Sequence, residues 1–313
     1  MTETYNLYIN RCKAYIAFML SQQQWSGLTK ATVEEWIENF RDLSEEEKCL
    51  VYRLLTSIIY FSENDVIEAL KEGIHHCLYY ESILKKQITS DFSLSAKALA
   101  NIESEELAKT CFIPLLDSDA PHESGNYVTR TLVQQGIIKS TQSVFLDKLP
   151  DLLKRGAFSR LVIVDDCVGS GDQLDTFWTE ARVNVDGSSK RLRDLCNEYG
   201  VDANYLTLFG YINSIENLKT RFTDLKIWCV RCLSDTQRVF MDDSYVWKNQ
   251  DELNKAKALF ESITQAVGIP LYGYKGLDFA FIMHRTIPDW LLPLFWMEKP
   301  DWRLLMRRKN SSV

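Results

Sequence analysis

Residues 161–178, LVIVDDCVGSGDQLDTFW, hold the side chains best suited to chemistry in this chain of 313 residues. Asp165 and Asp166 follow four apolar residues, three of them β-branched. After them come the small-residue run Gly169-Ser170-Gly171 and then Asp172 and Gln173. Two adjacent carboxylates accept hydrogen bonds from two adjacent hydroxyls, as on the 2′ and 3′ positions of a ribose. They also place negative charge beneath a sugar ring that turns cationic as its C1 bond breaks. Glycines let successive backbone N–H groups converge on a ligand without a Cβ in the way. A helix N-terminus beyond them adds unpaired N–H groups and partial positive charge, so a phosphate is the natural guest. A phosphorylated ribose satisfies both halves of such a site.

Competing motifs fit less well. GSGDQL lacks the third glycine of the dinucleotide fingerprint GxGxxG, and no GK[ST] supports a nucleoside-triphosphate loop. The bland reading is a helix start with an aspartate N-cap and two surface aspartates. It is the weaker one, because adjacent acids at a strand's carboxyl end followed by GSG are an unusual combination. Two other clusters carry less. Cys229-Val-Arg-Cys232 has no second pair or nearby histidine to complete a zinc set, and alternation along a strand sends its two thiols to opposite faces. His75-His76-Cys77 reads as a helix surface, since adjacent helical positions diverge by about 100°.

The elements that position these groups fall into two regimes. Up to about residue 105 the chain reads as helices, with no proline before Pro114. Ser44 and Glu47 have the spacing of a capping box ahead of a stripe with Leu50, Leu54 and Ile58. Ser62 and Asp65 repeat the start signal ahead of Val66, Leu70, Ile74 and Leu78. A further helix at 32–40 carries Val33, Trp36, Ile37 and Phe40 on one face. From about residue 108, apolar runs at 111–116, 161–164, 204–212, 225–233 and 277–283 alternate with amphipathic stretches at 146–155, 173–182 and 252–267. That alternation predicts an α/β fold, a mainly parallel sheet flanked by helices, behind an N-terminal helical region. The expected division is 1–105 for the helical region and 106–313 for the α/β domain with an aromatic C-terminal extension. The aromatics Trp290, Phe295, Trp296 and Trp302 of that extension read as core. The polar loop 117–125 follows the first strand directly, where a parallel sheet places ligand loops.

Composition limits the function classes. Hydrophobic residues make up 46% and charged residues 25%, so the chain is globular. Its net charge of −7 argues against coating nucleic acid or an anionic membrane by bulk charge. No apolar run approaches the ~20 residues of a membrane span, and the N-terminus has no signal-peptide core. Eight cysteines without regular spacing fit buried, reduced thiols. The expected location is the cytoplasm, with no membrane partner.

The segment 161–173 resembles the motif that binds phosphoribosyl pyrophosphate (PRPP) in type I phosphoribosyltransferases. The chain as a whole resembles the PRTase-CE family, phosphoribosyltransferase-like proteins of bacterial conflict systems. That likeness rests on DDCVGSGDQ at 165–173, ESGNYVTR at 123–130, WIENF at 36–40 and PLYGYKGLDFAFIMHRTIPDWLLPLFWMEKPDWRLLMRR at 270–308. It implies a type I phosphoribosyltransferase-like fold and a glycosyl transfer at C1 of a phosphorylated ribose. By the same likeness Asp165 and Asp166 hold the ribose hydroxyls, and Gly169, Ser170, Gly171, Asp172 and Gln173 hold the 5′-phosphate. Ser124, Gly125 and Arg130 would meet the pyrophosphate, with Mg2+ arriving chelated to PRPP and few protein ligands of its own. The implied setting is antiphage defence, with a retron-type reverse transcriptase and its RNA–DNA as a partner and a homo-oligomer as a further expectation. Type I enzymes usually carry Thr or Ser where this chain has Asp172. That departure keeps a second reading open, a PRPP or nucleotide sensor without turnover. A third is an interaction subunit with a vestigial site.

Overall fold

The structure is a computed structural model that describes residues 2–116, 124–284 and 286–308. Its contacts divide the chain into two units, one formed by Met1–Val66 with Leu233–Val313 and the other by Ile67–Cys232.

The first unit begins with α1 (Thr2–Ser21), α2 (Lys30–Glu38) and α3 (Glu45–Thr56). Ser44 and Glu47 form the expected capping box at α3: the Ser44 N–H donates to Glu47 Oε2 at 2.8 Å, and Ser44 Oγ accepts from the Glu47 N–H at 3.3 Å. These exchanges satisfy two amides that a helix start otherwise leaves without partners. After the short strand β1 (Ile59–Phe61), Ser62 and Asp65 make the same reciprocal pair at the start of α4 (Glu63–Glu72).

In the second unit, a π-helical turn at Gly73–Leu78 leads into α5 (Tyr80–Thr89) and α6 (Ala96–Ala108). There follow β2 (Thr110–Pro114), α7 (Ser124–Gln134), α8 (Leu149–Lys154), β3 (Arg160–Val168) and α9 (Asp172–Glu180). A hairpin of β4 (Arg182–Val185) and β5 (Ser188–Arg191) precedes α10 (Leu192–Glu198), β6 (Asp202–Tyr211), α11 (Ile212–Arg221) and β7 (Lys226–Leu233). The four-stranded sheet has the order β2-β3-β6-β7, with β3 parallel to both β2 and β6. β3 and β6 are buried almost throughout; β3 carries the apolar run 161–164 expected of a central parallel strand and then the two aspartates. One face packs Ile113, Ile163 and Tyr205 against Leu174, Trp178 and Ile215 of the following helices. The π-helical turn lies against the sheet. A Cβ on Gly73 would come within 3.0–3.1 Å of Leu206 and Val230 side chains, which would have to give by a few tenths of an ångström to admit a larger residue.

The chain returns to the first unit with α12 (Gln250–Val267) and β8 (Phe281–Met283). Trp36 is fully buried there, its ring 4.8 Å from Phe40 and 5.5 Å from Phe295. The indole N–H groups of Trp36 and Trp302 both donate to the Leu294 carbonyl, at 3.0 and 2.8 Å. Trp290, Phe295 and Trp302 are buried as expected, whereas Trp296 is only partly buried and packs against that core.

Two expectations are corrected. The boundary near residue 105 is not where contacts divide: helices from 67 onward belong with the sheet, and 233–313 completes the core begun by 1–66. The run 277–283 is not a strand of the central sheet; its last residues form β8, which pairs in parallel with β1, Ile59 opposite Phe281. The hairpin β4–β5 was not foreseen, although Asp186-Gly187 is a two-residue turn with φ of 51° and 83°, the combination that joins tight hairpins.

Candidate functional site at the carboxyl edge of the sheet

The acidic pair stands inside β3 and not at its end. The ladder with β6 continues past it, Asp165 opposite Thr207, Cys167 opposite Phe209 and Val168 opposite Gly210. Both carboxylates are therefore buried, each residue 2% exposed, which corrects the picture of two open acids at a strand terminus and excludes the surface-aspartate reading. Asp165 is held on both oxygens. The Tyr205 hydroxyl donates to Oδ2 at 2.9 Å, and the Asp166 N–H donates to Oδ1 at 2.9 Å. Burial, and next the neighbouring Asp166 charge, push the Asp165 carboxyl well above its ordinary value, against the pull of those two bonds. The Tyr205 hydroxyl is raised as well, by burial and then by the Asp165 charge. Asp166 differs: its Oδ2 is buried and has no hydrogen-bond partner. A buried acceptor left open costs ~1–3 kcal/mol, so it marks a place where a donor or cation belongs.

Beyond Val168 the turn Gly169-Ser170-Gly171 opens α9. Gly171 is the N-cap, at φ 87°, and a Cβ there would lie 2.9 Å from Leu218 Cδ1. Conformation and space both demand glycine. The aspartate N-cap of the bland reading does not form: Asp172 is the first residue of the helix, and its N–H donates to Ser170 Oγ at 3.3 Å. Exposed Gln173 follows, and Leu174, Phe177 and Trp178 bury the opposite face of the helix. The glycine turn thus joins the strand that carries the acidic pair to the first turn of α9.

A second helix start lies at the same edge. The Leu115 N–H donates to the Val164 carbonyl at 2.9 Å, which extends the β2–β3 pairing to the residue before Asp165. Gly125, in the first turn of α7, is so close to Leu115 that a Cβ would stand 2.4 Å from its carbonyl oxygen. Of the expected pyrophosphate loop, residues 117–123 lie outside the described residues. Ser124 opens α7, and Gly125 adjoins the end of β2. Arg130 is exposed, about one and a half turns further along α7. The fold therefore brings Asp165, Asp166, the 169–173 turn and the start of α7 to one edge.

Sequence reasoning missed Tyr205, the partner of Asp165, because only the β3–β6 register places two residues 40 positions apart side by side. In β7 the Cys229 thiol donates to the Arg231 carbonyl at 3.4 Å. The nearby Cys229 thiol lowers exposed Cys232 to about 7. Among the described residues no three His, Cys, Asp or Glu side chains group as a metal site. No helix among them is long and apolar enough to cross a membrane.

A parallel sheet flanked by helices, with an acidic pair in a central strand and a glycine turn into the next helix, defines a phosphoribosyltransferase-like α/β protein. The family model described as PRTase-CE matches residues 33–308, and the chain belongs to that family. No curated protein and no solved structure matches it.

Proposed function

We propose that this protein binds PRPP or a related ribose 5-phosphate at the 165–173 segment and transfers or cleaves at ribose C1. The observation that carries the reading is the buried, unpartnered oxygen of Asp166 beside a glycine turn and a helix N-terminus. That oxygen accepts a ribose hydroxyl, while Gly169, Ser170, Gly171 and the amides of Asp172 and Gln173 take the 5′-phosphate. Ser124 and Gly125 serve the pyrophosphate. In the reaction the bond from C1 to pyrophosphate breaks with its electron pair leaving on oxygen. A nucleophile's lone pair then bonds to C1, and its proton passes to solvent. The two carboxylates stabilise the cation-like sugar between those events.

The chemistry of the site fits magnesium that arrives chelated to the pyrophosphate, since the buried acidic pair adds negative charge at the same edge. Bound there, the ion would neutralise charge on the leaving group, with few protein ligands of its own. The setting we propose is antiphage defence, with a reverse transcriptase and its RNA–DNA as partner, as the sequence resemblance implies.

Calorimetry with PRPP and magnesium tests the reading. Wild-type protein is expected to bind, and Asp166→Asn to bind at least tenfold more weakly, since a charged hydrogen bond is worth ~1.5–3 kcal/mol. Unchanged affinity in the variant overturns it. One observation favours a sensor without turnover: both oxygens of Asp165 are already bonded within the protein. Release of pyrophosphate on incubation with PRPP decides for transfer or cleavage, and binding without release decides for the sensor.

A further inference from the structure

A separate set of polar residues gathers in the first unit. A cavity of about 1520 Å³ there is lined by Ser26, Tyr60, His284, Lys299, Arg303 and Arg307. Leu28, Ile282, Trp302 and Leu305 give it an apolar wall. Arg308 also lines it, with its guanidinium 5.4 Å from the centre of the Trp296 ring. Four cations thus face two lining carboxylates, Glu35 and Glu298, in a chain whose net charge is −7. Lys299, Arg303 and Arg307 form no ion pair among the described residues. Most solvated cations of an acidic protein find acids nearby, so three without a partner around one cavity call for an anion.

The segment that bears them is fastened to the core. Arg303 is clamped at both backbone groups by Asn39, whose Nδ2 donates to its carbonyl at 2.8 Å and whose Oδ1 accepts its N–H at 3.1 Å. The N–H groups of Leu305 and Met306 donate to the Phe295 carbonyl at 3.0 and 3.1 Å. Such anchoring fixes the backbone beneath the guanidinium groups before a ligand arrives, which lowers the ordering cost of binding. At the far wall His284 Nδ1 lies 3.4 Å from Ser26 Oγ and its Nε2 3.6 Å from Glu63. These groups add hydroxyl and imidazole donors to the cationic rim.

We propose that this cavity binds a phosphate-bearing ligand with an apolar or aromatic body, the chemistry of a nucleoside diphosphate. Guanidinium forks match phosphate oxygens in pairs, and an ammonium adds a point charge. The volume exceeds the ~300–1,000 Å³ usual for small-ligand sites, leaving room for both base and phosphates with bridging water. The site shares no residue with the 165–173 segment.

The test titrates the full-length protein with ADP and, separately, with inorganic diphosphate, by calorimetry. ADP is expected to bind saturably, and Arg303→Ala with Arg307→Ala to weaken it at least tenfold. Asp165→Asn with Asp166→Asn is expected to leave ADP affinity within twofold, which separates this cavity from the other site. Both arginines are exposed, so a thermal midpoint matching wild type confirms that the arginine variant is folded. Diphosphate binding with the same loss in the arginine variant assigns the affinity to the phosphates; ADP binding alone assigns it to the whole nucleotide. Absence of saturable binding by both probes, or loss of ADP binding in the aspartate variant and not in the arginine variant, overturns the proposal.

Discussion

A buried carboxyl group beside a second one costs free energy to ionise, and Asp165 is in that position. Its ordinary value is 3.8, and its folded value is higher. The folded state therefore favours the protonated form. The stability gained from holding that proton is full below about pH 4 and is lost as pH rises through the folded value. Asn at this position cannot ionise, so stability of wild type relative to Asp165→Asn is expected to fall as pH rises from about 4; urea midpoints across pH 4–8 measure it. Cys232 has the opposite sense. The neighbouring Cys229 thiol, aided by the Lys219 charge and opposed by partial burial, brings it from 9.0 to about 7. The thiolate is the reactive species. Labelling of Cys232 by iodoacetamide should therefore rise through about pH 7, and Cys229→Ser should slow labelling at that pH. Peptide mass spectrometry reads both outcomes.

Each half of the candidate site depends on how an element begins. The α9 start is fixed by Gly171, and an alanine there must adopt a left-handed backbone and push Leu218 aside. Gly171→Ala is expected to destabilise by about 1–3 kcal/mol in chemical unfolding, with weaker phosphate binding as the turn shifts. The α3 and α4 starts were legible in sequence because a capping box is local: three residues of spacing suffice to name both partners. The strands β2, β3 and β6 were legible for a related reason, since strands covered on both faces must be apolar almost throughout. The ends of these strands were not legible. Pairing with β6 carries β3 to Val168, through two aspartates that no local rule would leave inside a strand.

At the scale of the molecule, the first unit is assembled from the two ends of the chain. Trp36 meets Phe295 and shares the Leu294 carbonyl with Trp302, contacts some 260 residues apart in sequence. The division at 105 would cut through the sheet unit and strand 233–313 without its helices. A fragment 106–313 is accordingly expected to lack a cooperative thermal transition by near-UV circular dichroism. The contiguous fragment 67–232, which contains the sheet with the helices packed on it, is expected to show one.

The sequence by itself determined the α/β class, the capped helices, the acidic pair with its glycine turn, and the family likeness, because each is written within a few consecutive residues. Tertiary structure alone decided that Tyr205 holds Asp165, that Asp166 keeps an open buried oxygen, and that β8 pairs with β1. It also decided that two distant stretches make one core. Those outcomes depend on strand register and long-range burial, where the partner is selected by the free energy of the folded whole and leaves no mark at fixed spacing along the chain.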